Sequence, residues 1–465
     1  MVYTMKIYVD GGCRGNGQPG AVAAAAAAVK KRNGKYHCWT RSLPLYPTPT
    51  NQRAEITAII MALEVALERY RDLDTNPYMD VTIYSDSRYA IGCMTKWIYK
   101  WSRNGWTNAA GFEVANRDLI EEASDLDDRL KEEGDVEYVG NKIAVFTLQS
   151  LGYDVAALNT VQFSNHTGYR QWTGTKVTAQ EITDLYHGLR QSYLDDFDMM
   201  LSGYIPGAEA VVAVGNIARE LKERNKAAPG KFFWVLDPVM GDNGKLYVAE
   251  DVVPAYKGLI GHADLILPNQ FEAELLSAVK IVDLVSLSAA IQALHDKYRI
   301  PHVIITSVNF SPEQPPSHLS VIGSSMTSTG KARLFKISFP SIDCYFCGTG
   351  DMFGALVTAR MREAVQSVPG LASCASWLSD DTVSAVELPL ARAAEQVLAS
   401  MHEVLTKTRD AMPSVIERTR ARLKEDDRVS GKGEQQIKSK ASELQLVQNL
   451  ECLRSPGVQF KAQQL

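Results

Sequence analysis

The opening part of this chain has no apolar run long enough to cross a bilayer. The longest, Ala21–Val29 (AVAAAAAAV), falls far short of the roughly 20 residues a spanning helix needs. The first residues, MVYTMKIYVDGG, also lack the basic-then-apolar order of a secretory signal. Both gaps favour a cytoplasmic protein without a membrane partner, with nuclear entry left open. An excess of one charge is missing too. The formal net charge is −5 over 465 residues, and residues 1–139 hold 17 basic against 19 acidic side chains. Any nucleic-acid contact must therefore come from a local patch. The seven cysteines are odd in number and scattered, which argues against a disulfide framework. Cys344-Tyr345-Phe346-Cys347 has no second CxxC or CxxH at ligand spacing. It reads as two small apolar residues on a buried strand rather than as a redox pair or half a zinc site. Internal repeats are also missing.

What is present is the composition of a soluble globular protein, 45% hydrophobic and 22% charged, too long for one ordinary core. In the first third, Lys6–Asp10 alternates and Gly11-Gly12 follows, so Asp10 is expected where a strand stops. The alanine-rich stretch Gly20–Val29 has helical propensity, but Asn33-Gly34 after it is a strong hairpin signal, so the spacing predicts a strand. Thr50 or Asn51 then offers an N-cap to a long helix whose apolar positions Ile56, Ile59, Ile60, Leu63 and Leu67 recur at helical spacing. Glu55 lies near its start. Val81–Asp86 reads as another strand ending in an acid. Two strand ends and a helix start thus each carry a carboxylate. Clustered acids repel one another unless divalent metal neutralises them, and two such ions can activate water against a phosphodiester.

YVDGGCRGNG, NQRAEITAI and YSDSRYAIGCMTKWIYKWSRNGW resemble, in order and spacing, the three leading motifs of type 1 ribonuclease H. The resemblance covers residues 1–139 as a domain and implies metal-dependent cleavage of the RNA strand of an RNA–DNA hybrid. It makes Asp10, Glu55 and Asp86 the catalytic Mg²⁺ ligands. Lys96, Trp97, Lys100, Trp101, Arg103 and Trp106 would form a basic, aromatic substrate-binding projection, with cations on phosphates and rings on sugars or bases. The family's fourth acid and histidine-bearing loop have no counterpart, because VEYV (136–139) runs directly into GNKIAVF.

Residues 140–465 read as alternating strands and helices, the pattern of a mostly parallel sheet with helices on both faces. Strand candidates end in Asp237-Pro238, Asn269 and Thr306-Ser307, and ligands in such sheets sit at the carboxyl ends of strands. The sharpest motif is Cys347-Gly348-Thr349-Gly350-Asp351 ahead of a helical run. Its glycines permit a tight turn, the helix start aims free N–H groups at an anion, and the Asp can take a proton from an alcohol.

VQFSNHTGY, SGY, LDPVMGD, LPNQFEAELLS, ITS and GTGDMF, in that order, resemble pyridoxal kinase of the ribokinase superfamily. This resemblance implies ATP-dependent phosphorylation of the 5′-hydroxymethyl of pyridoxal, pyridoxine or pyridoxamine. It makes Asp351 the catalytic base and Gly348, Thr349 and Gly350 the anion hole. Phe163, Thr167 and Tyr204 would line the vitamin pocket. Asp237 and Asp242 would serve the ATP phosphates and Mg²⁺, while Asn269, Gln270, Phe271, Glu272, Thr306 and Ser307 meet nucleotide or metal. Ile342, Asp343 and Cys344 would flank adenine. The family is also typically dimeric and uses a monovalent cation, K⁺ or Na⁺, touched by a threonine where this chain has Leu267. The segment after Asp242 is shorter than the usual lid, and the family's first strand has no counterpart before Gly140.

The whole chain is thus expected to be α/β in two domains, a ribonuclease H-like mixed sheet and a ribokinase-like one. A kinase with an appended nuclease domain is the leading reading. Its alternatives are a nuclease as the main activity and an inactive joining of two truncated genes or gene models. VEYV is expected to pair with the nuclease strands, leaving a defect in the kinase sheet. The polar stretch 424–443 is expected to be a mobile loop, and LQLVQNLECL after it a returning strand or helix.

Overall fold

The computed structural model describes residues 2–30, 34–71, 78–101, 104–108, 111–133, 140–169, 172–310, 317–421 and 432–465. The chain divides into two compact units, residues 1–136 and 137–465. The segment VEYV lies outside the described residues, so the expectation for its pairing does too.

In the first unit, strands β1 (Val2–Arg14), β2 (Val22–Lys30) and β3 (Tyr36–Ser42) form an antiparallel meander, then comes helix α1 (Asn51–Arg71). Strand β4 (Tyr78–Tyr84) follows and pairs parallel to β1, giving the order β3-β2-β1-β4. Short helices α2 (Arg88–Gly92) and α3 (Ile98–Trp101) flank a π-helical turn, Cys93–Trp97, and α4 (Arg117–Glu133) closes the unit. The alanines of β2 alternate: Ala23, Ala25, Ala27 and Val29 are buried while their neighbours point outward. This period of two explains why the hairpin signal prevails over helix propensity. Ala25, Ala27 and Val29 pack under Ile56, Ile59, Ile60, Leu63 and Leu67 of α1 within one core. Asp10 does not end its strand. β1 continues through Gly11 and Gly12 to Arg14, because β2 stays paired with it as far as Val22.

The second unit opens with α5 (Asn141–Ser150), the small hairpin β5 (Val161–Phe163) and β6 (Gly174–Lys176), and α6 (Ala179–Gln191). Then come β7 (Met199–Ser202), α7 (Ala208–Arg224), β8 (Phe233–Leu236), the hairpin β9 (Gly241–Asp242) and β10 (Lys245–Leu246), and α8 (Val252–Leu259). β11 (Leu265–Ile266), α9 (Gln270–Ser277), α10 (Leu284–Tyr298), β12 (His302–Val308), β13 (His318–Met326) and β14 (Ala332–Pro340) follow. The unit ends with α11 (Thr349–Gln366), α12 (Pro389–Ala421), α13 (Lys432–Ala441), α14 (Leu450–Arg454) and β15 (Gln463–Gln464). Seven strands form one sheet in the order β15-β14-β13-β12-β11-β8-β7. It is parallel from β7 to β12 and antiparallel from β12 to β15.

Both faces of that sheet are covered, so its central strands are apolar throughout. Phe233 and Val235 join Leu265, Ile304 and Phe335 under α11 and α12, while Trp234 and Leu236 join Ile266, Val303 and Ile305 under α7 to α10. Two sequence expectations are corrected here. Cys344 and Cys347 lie on the connection between β14 and α11, part-exposed, because the strand has already ended at Pro340. The stretch 424–443 is not all loop, since Lys432–Ala441 is a helix with the buried Ile437 on its inner side. LQLVQNLECL takes its helical alternative, a 3-10 turn followed by α14.

Candidate functional site

In the first unit, β1 and β4 run in parallel register with Tyr8 beside Tyr84, so Asp10 and Asp86 lie the same two residues beyond that pair. Glu55 arrives from the first turns of α1. The helix can approach because Gly11 has no side chain: a Cβ there would overlap the Ala54 carbonyl and the Glu55 amide. Oxygen atoms of Asp10, Glu55 and Asp86 consequently lie within 4.8 Å of one another. Burial, then the charges of Asp86 and Asp10, push Glu55 up to about 7, partly offset by a hydrogen bond from the Gly11 amide. Its Oε2 is buried without a hydrogen-bond partner among the described residues. An all-oxygen cluster with a buried, unpartnered acceptor suits a hard divalent cation such as Mg²⁺.

Trp101 and Trp106 stand side by side, ring centroids 6.5 Å apart, with Trp97 5.7 Å from Trp101. The guanidinium of Arg117 caps the Trp106 ring at 5.2 Å. Trp101 and Trp106 pack half-buried against the core, whereas Trp97 is 40% exposed. The side chains of Lys96 and Lys100, and Arg103 altogether, lie outside the described residues.

In the second unit the strand ends converge. Gly348 adopts φ 77° as the N-cap of α11, and the first turn, which includes Asp351, comes close to Gly203 just after β7 and to Asp237 just after β8. Asp351 Oδ2 accepts a 2.8 Å hydrogen bond from the Gly140 amide at the head of α5. Burial raises Asp351 to about 6, against the lowering effect of that bond. A carboxylate oxygen of Asp237, just after β8, lies 3.6 Å from where a Cβ on Gly350 would stand. Its carboxyl is pushed well above the carboxylate range by burial, Glu272 and Asp351.

Glu272 is buried and accepts from the amides of Met240 (2.8 Å), Gly241 (3.3 Å) and Asn269 (2.9 Å). Burial nevertheless raises it to about 7. Asn269 completes the capping box of α9 and donates to the Gly241 carbonyl at 2.7 Å, tying the β9 hairpin to the strand ends. Asp242 sits exposed on that hairpin, and Thr306 is bridged to Asn269 beside Ser307. Gln270 spends its amide on the Ile281 carbonyl, away from this cleft, and Phe271 follows it half-buried in α9. Mutually repelling acids at the mouth of a parallel sheet fit a cation-bound polyphosphate.

Phe163 on β5 packs against Trp172, ring centroids 4.4 Å apart. Tyr204 follows β7, with its carbonyl fixed by Thr160 at 2.8 Å and its hydroxyl raised by burial. The Thr167 side chain lies outside the described residues. Ile342, Asp343 and Cys344 form a turn after β14, closed by a Cys344 amide bond to Ile342 at 2.7 Å. Leu267 is a core residue, 4% exposed. Several site neighbours carried no role in the sequence reading: Gly140, Tyr247, Tyr256 and His166. Tyr256 is buried, with Asp237 and Glu272 adding to a strongly raised hydroxyl, and Tyr247 is pushed up to about 12 by burial and then by Asp242. Chain separation hid them, although His166 stood within VQFSNHTGY.

A family model described as RNase H matches residues 3–139, and one described as phosphomethylpyrimidine kinase matches residues 194–389. The pyridoxal kinase of Homo sapiens is 38% identical over 231 residues, 48% of this chain and 72% of its own length. The pyridoxal kinase of Leishmania donovani, solved in complex with ADP and pyridoxamine, is 30% identical with a TM-score of 0.56. That match covers 71% of this chain and 95% of the other. The Trypanosoma brucei pyridoxal kinase is 27% identical with a TM-score of 0.53, covering 71% and 95%. A Gly-capped helix carrying an acid at the sheet's carboxyl edge, together with these relatives, places the chain in the pyridoxal kinase family, with a region matching the RNase H family ahead of the kinase.

Proposed function

We propose that the second unit transfers the γ-phosphoryl group of ATP to the 5′-hydroxymethyl of pyridoxal, pyridoxine or pyridoxamine. The observation that carries this is Asp351: a part-buried carboxylate on the first turn of α11, oriented by the Gly140 amide and raised to about 6. Asp351 takes the hydroxyl proton, and the first-turn amides from Gly348 to Gly350 stabilise the charge moving with the phosphoryl group. Phe163 and Tyr204 offer flat walls to the ring, with Thr167 as its hydrogen-bonding partner. Asp237 and Asp242 would hold Mg²⁺, which neutralises phosphate charge when bound. Asn269 and Glu272 fix the backbone around those phosphates, Thr306 and Ser307 border them, and Ile342 to Cys344 flank adenine. With Leu267 in the core, a monovalent cation, K⁺ or Na⁺, would lack that side-chain ligand. A homodimer through this unit and a cytoplasmic location belong to the same proposal. The test is ATP-dependent formation of pyridoxal 5′-phosphate by the full chain, present in the wild type and lost in Asp351→Ala.

The first unit supports a second activity, hydrolysis of the RNA strand of an RNA–DNA hybrid. Its support is the three-acid cluster, Asp10, Glu55 and Asp86, within 4.8 Å. These acids would hold Mg²⁺, which supplies the activated water, while Lys100, Trp101 and Trp106 contact the hybrid. Mg²⁺-dependent nicking of a labelled hybrid that survives Asp10→Ala would remove this reading.

A further inference from the structure

Three side chains from distant parts of the second unit form a chain of proton contacts beside the anion hole. The Cys347 sulfur lies 3.2 Å from Nδ1 of His166, and Nε2 of the same ring lies 3.2 Å from Oε1 of Glu443. The Tyr169 hydroxyl donates to that Oε1 at 3.2 Å. The Gly168 amide nitrogen lies 3.1 Å from the same Nδ1. The ring is 9% exposed and cannot swing freely: Tyr169 meets it edge-on at 4.7 Å, and the bare Cα of Gly168 lies against it. A thiol, an imidazole and a carboxylate thus lie within reach of one another.

We propose that Cys347 is a modification site: a thiol activated by His166 and Glu443 that reacts with small hydroperoxides and, once oxidised, blocks the anion hole next to it. Two surroundings bear on this thiol. Cys347 directly precedes the N-cap of an 18-residue helix, whose positive end stabilises an anion. Burial disfavours a charged His166, but its hydrogen bonds to Cys347 and Glu443 outweigh that and push the ring up to about 10. Access is open, since Cys347 is only part-buried and Tyr345 beside it is 79% exposed.

The reaction is a two-electron oxidation. The thiolate attacks the distal oxygen of a hydroperoxide, the S–O bond forms as the O–O bond breaks, and the sulfur becomes a sulfenic acid. The departing alkoxide or hydroxide takes the proton held on His166 Nδ1, leaving alcohol or water and a neutral ring. The new oxygen lies within one residue of Gly348, where it competes with a phosphoryl group for the same amides. This consequence for phosphotransfer rests on the kinase reading, whereas the reactivity of the thiol does not.

The experiment is competitive labelling of the native full chain with iodoacetamide at neutral pH, read peptide by peptide by mass spectrometry. Cys38 and Cys374, both exposed, serve as internal references. Cys347 is expected to react about tenfold faster than either, because the helix N-terminus and the adjacent imidazole assist the attacking sulfur. Glu443→Gln is expected to bring its rate down to theirs. After hydrogen peroxide, dimedone is expected to tag Cys347 in proportion to lost kinase activity, and Cys347→Ser to keep its own starting activity under the same dose. Labelling of Cys347 no faster than of Cys374 in the wild type overturns the proposal without any variant. Peroxide sensitivity persisting in Cys347→Ser overturns the link to the anion hole. The labelling reads the thiol even in a chain that transfers no phosphate, so the two readings fail separately.

Discussion

Asp351 and Glu55 are both carboxylates held above their ordinary range, and the causes differ. Burial dominates at Asp351, with the Gly140 amide pulling the other way, and the result is about 6. A general base must be ionised, so kcat/KM for the phosphotransfer is expected to fall as pH drops through about 6 and to level off above it. Asp351→Asn keeps the shape but cannot accept the proton, and the rate is expected to fall by about 10²- to 10⁴-fold on the plateau above about pH 6, with the gap narrowing below it. A pH–rate series on both proteins checks this: an acid limb near the usual aspartate value in the wild type would remove Asp351 from the role. At Glu55, burial is joined by two neighbouring acids, so the folded chain holds a proton that the unfolded chain releases. Stability of the first unit is therefore expected to decline as pH rises from about 4.5 to 7, which is the sign for a raised carboxylate. Glu55→Gln, neutral throughout, should abolish that decline. Mg²⁺ or Mn²⁺ should restore stability above neutrality in the wild type but not in Asp10→Asn. Thermal melts across this range with and without metal read all three.

At the scale of elements, the nuclease-type cluster depends on how closely α1 crosses β1. Gly11 sets that distance, while Gly12 faces open space with nothing within 4 Å of an added Cβ. Gly11→Ala must push main chain against main chain, which no rotamer change relieves. A loss of about 1–3 kcal/mol in the first unit's denaturant midpoint is expected, together with loss of metal-induced stabilisation. Gly12→Ala, the control, should keep both, and equal effects of the two would remove close approach as the cause. The same glycines show what the sequence could and could not convey. Their presence after Asp10 was legible, but it suggested a turn, and they serve packing inside a continuous strand. The α1 stripe, the alternation in β2 and the strand ends carrying Asp237, Asn269 and Thr306 were all readable, because each is a local periodicity or a break in one. The contacts Gly140–Asp351 and His166–Cys347 were not readable, being 211 and 181 residues apart. Only the folded sheet brings such partners to one edge. Glu443 was hidden differently, inside a polar stretch whose composition suggested a loop although a helix leads directly into it.

For the whole molecule, the buried clusters respect the boundary between the two units. Among the described residues, the core around Ile60 draws on residues from Met5 to Leu126, and those around Leu356 and Trp234 begin at Ile143 and Ile182. Each unit thus has the requirements for cooperative unfolding within itself, a covered sheet and its own apolar centre. Calorimetry of the full chain is expected to show two transitions rather than one. Ile60→Ala and Leu356→Ala each remove a fully buried side chain, at about 2–5 kcal/mol apiece. Each is expected to lower one transition and leave the other in place. The Mg²⁺ effect should follow the transition moved by Ile60→Ala, and an ATP effect the one moved by Leu356→Ala. The assignment matters for function, because Asp10→Asn and Asp351→Asn should then silence separate activities with no effect on each other. A single transition shifted by both core variants would mean that the units fold as one. A defect in the nuclease core would then have to appear as lost phosphotransfer.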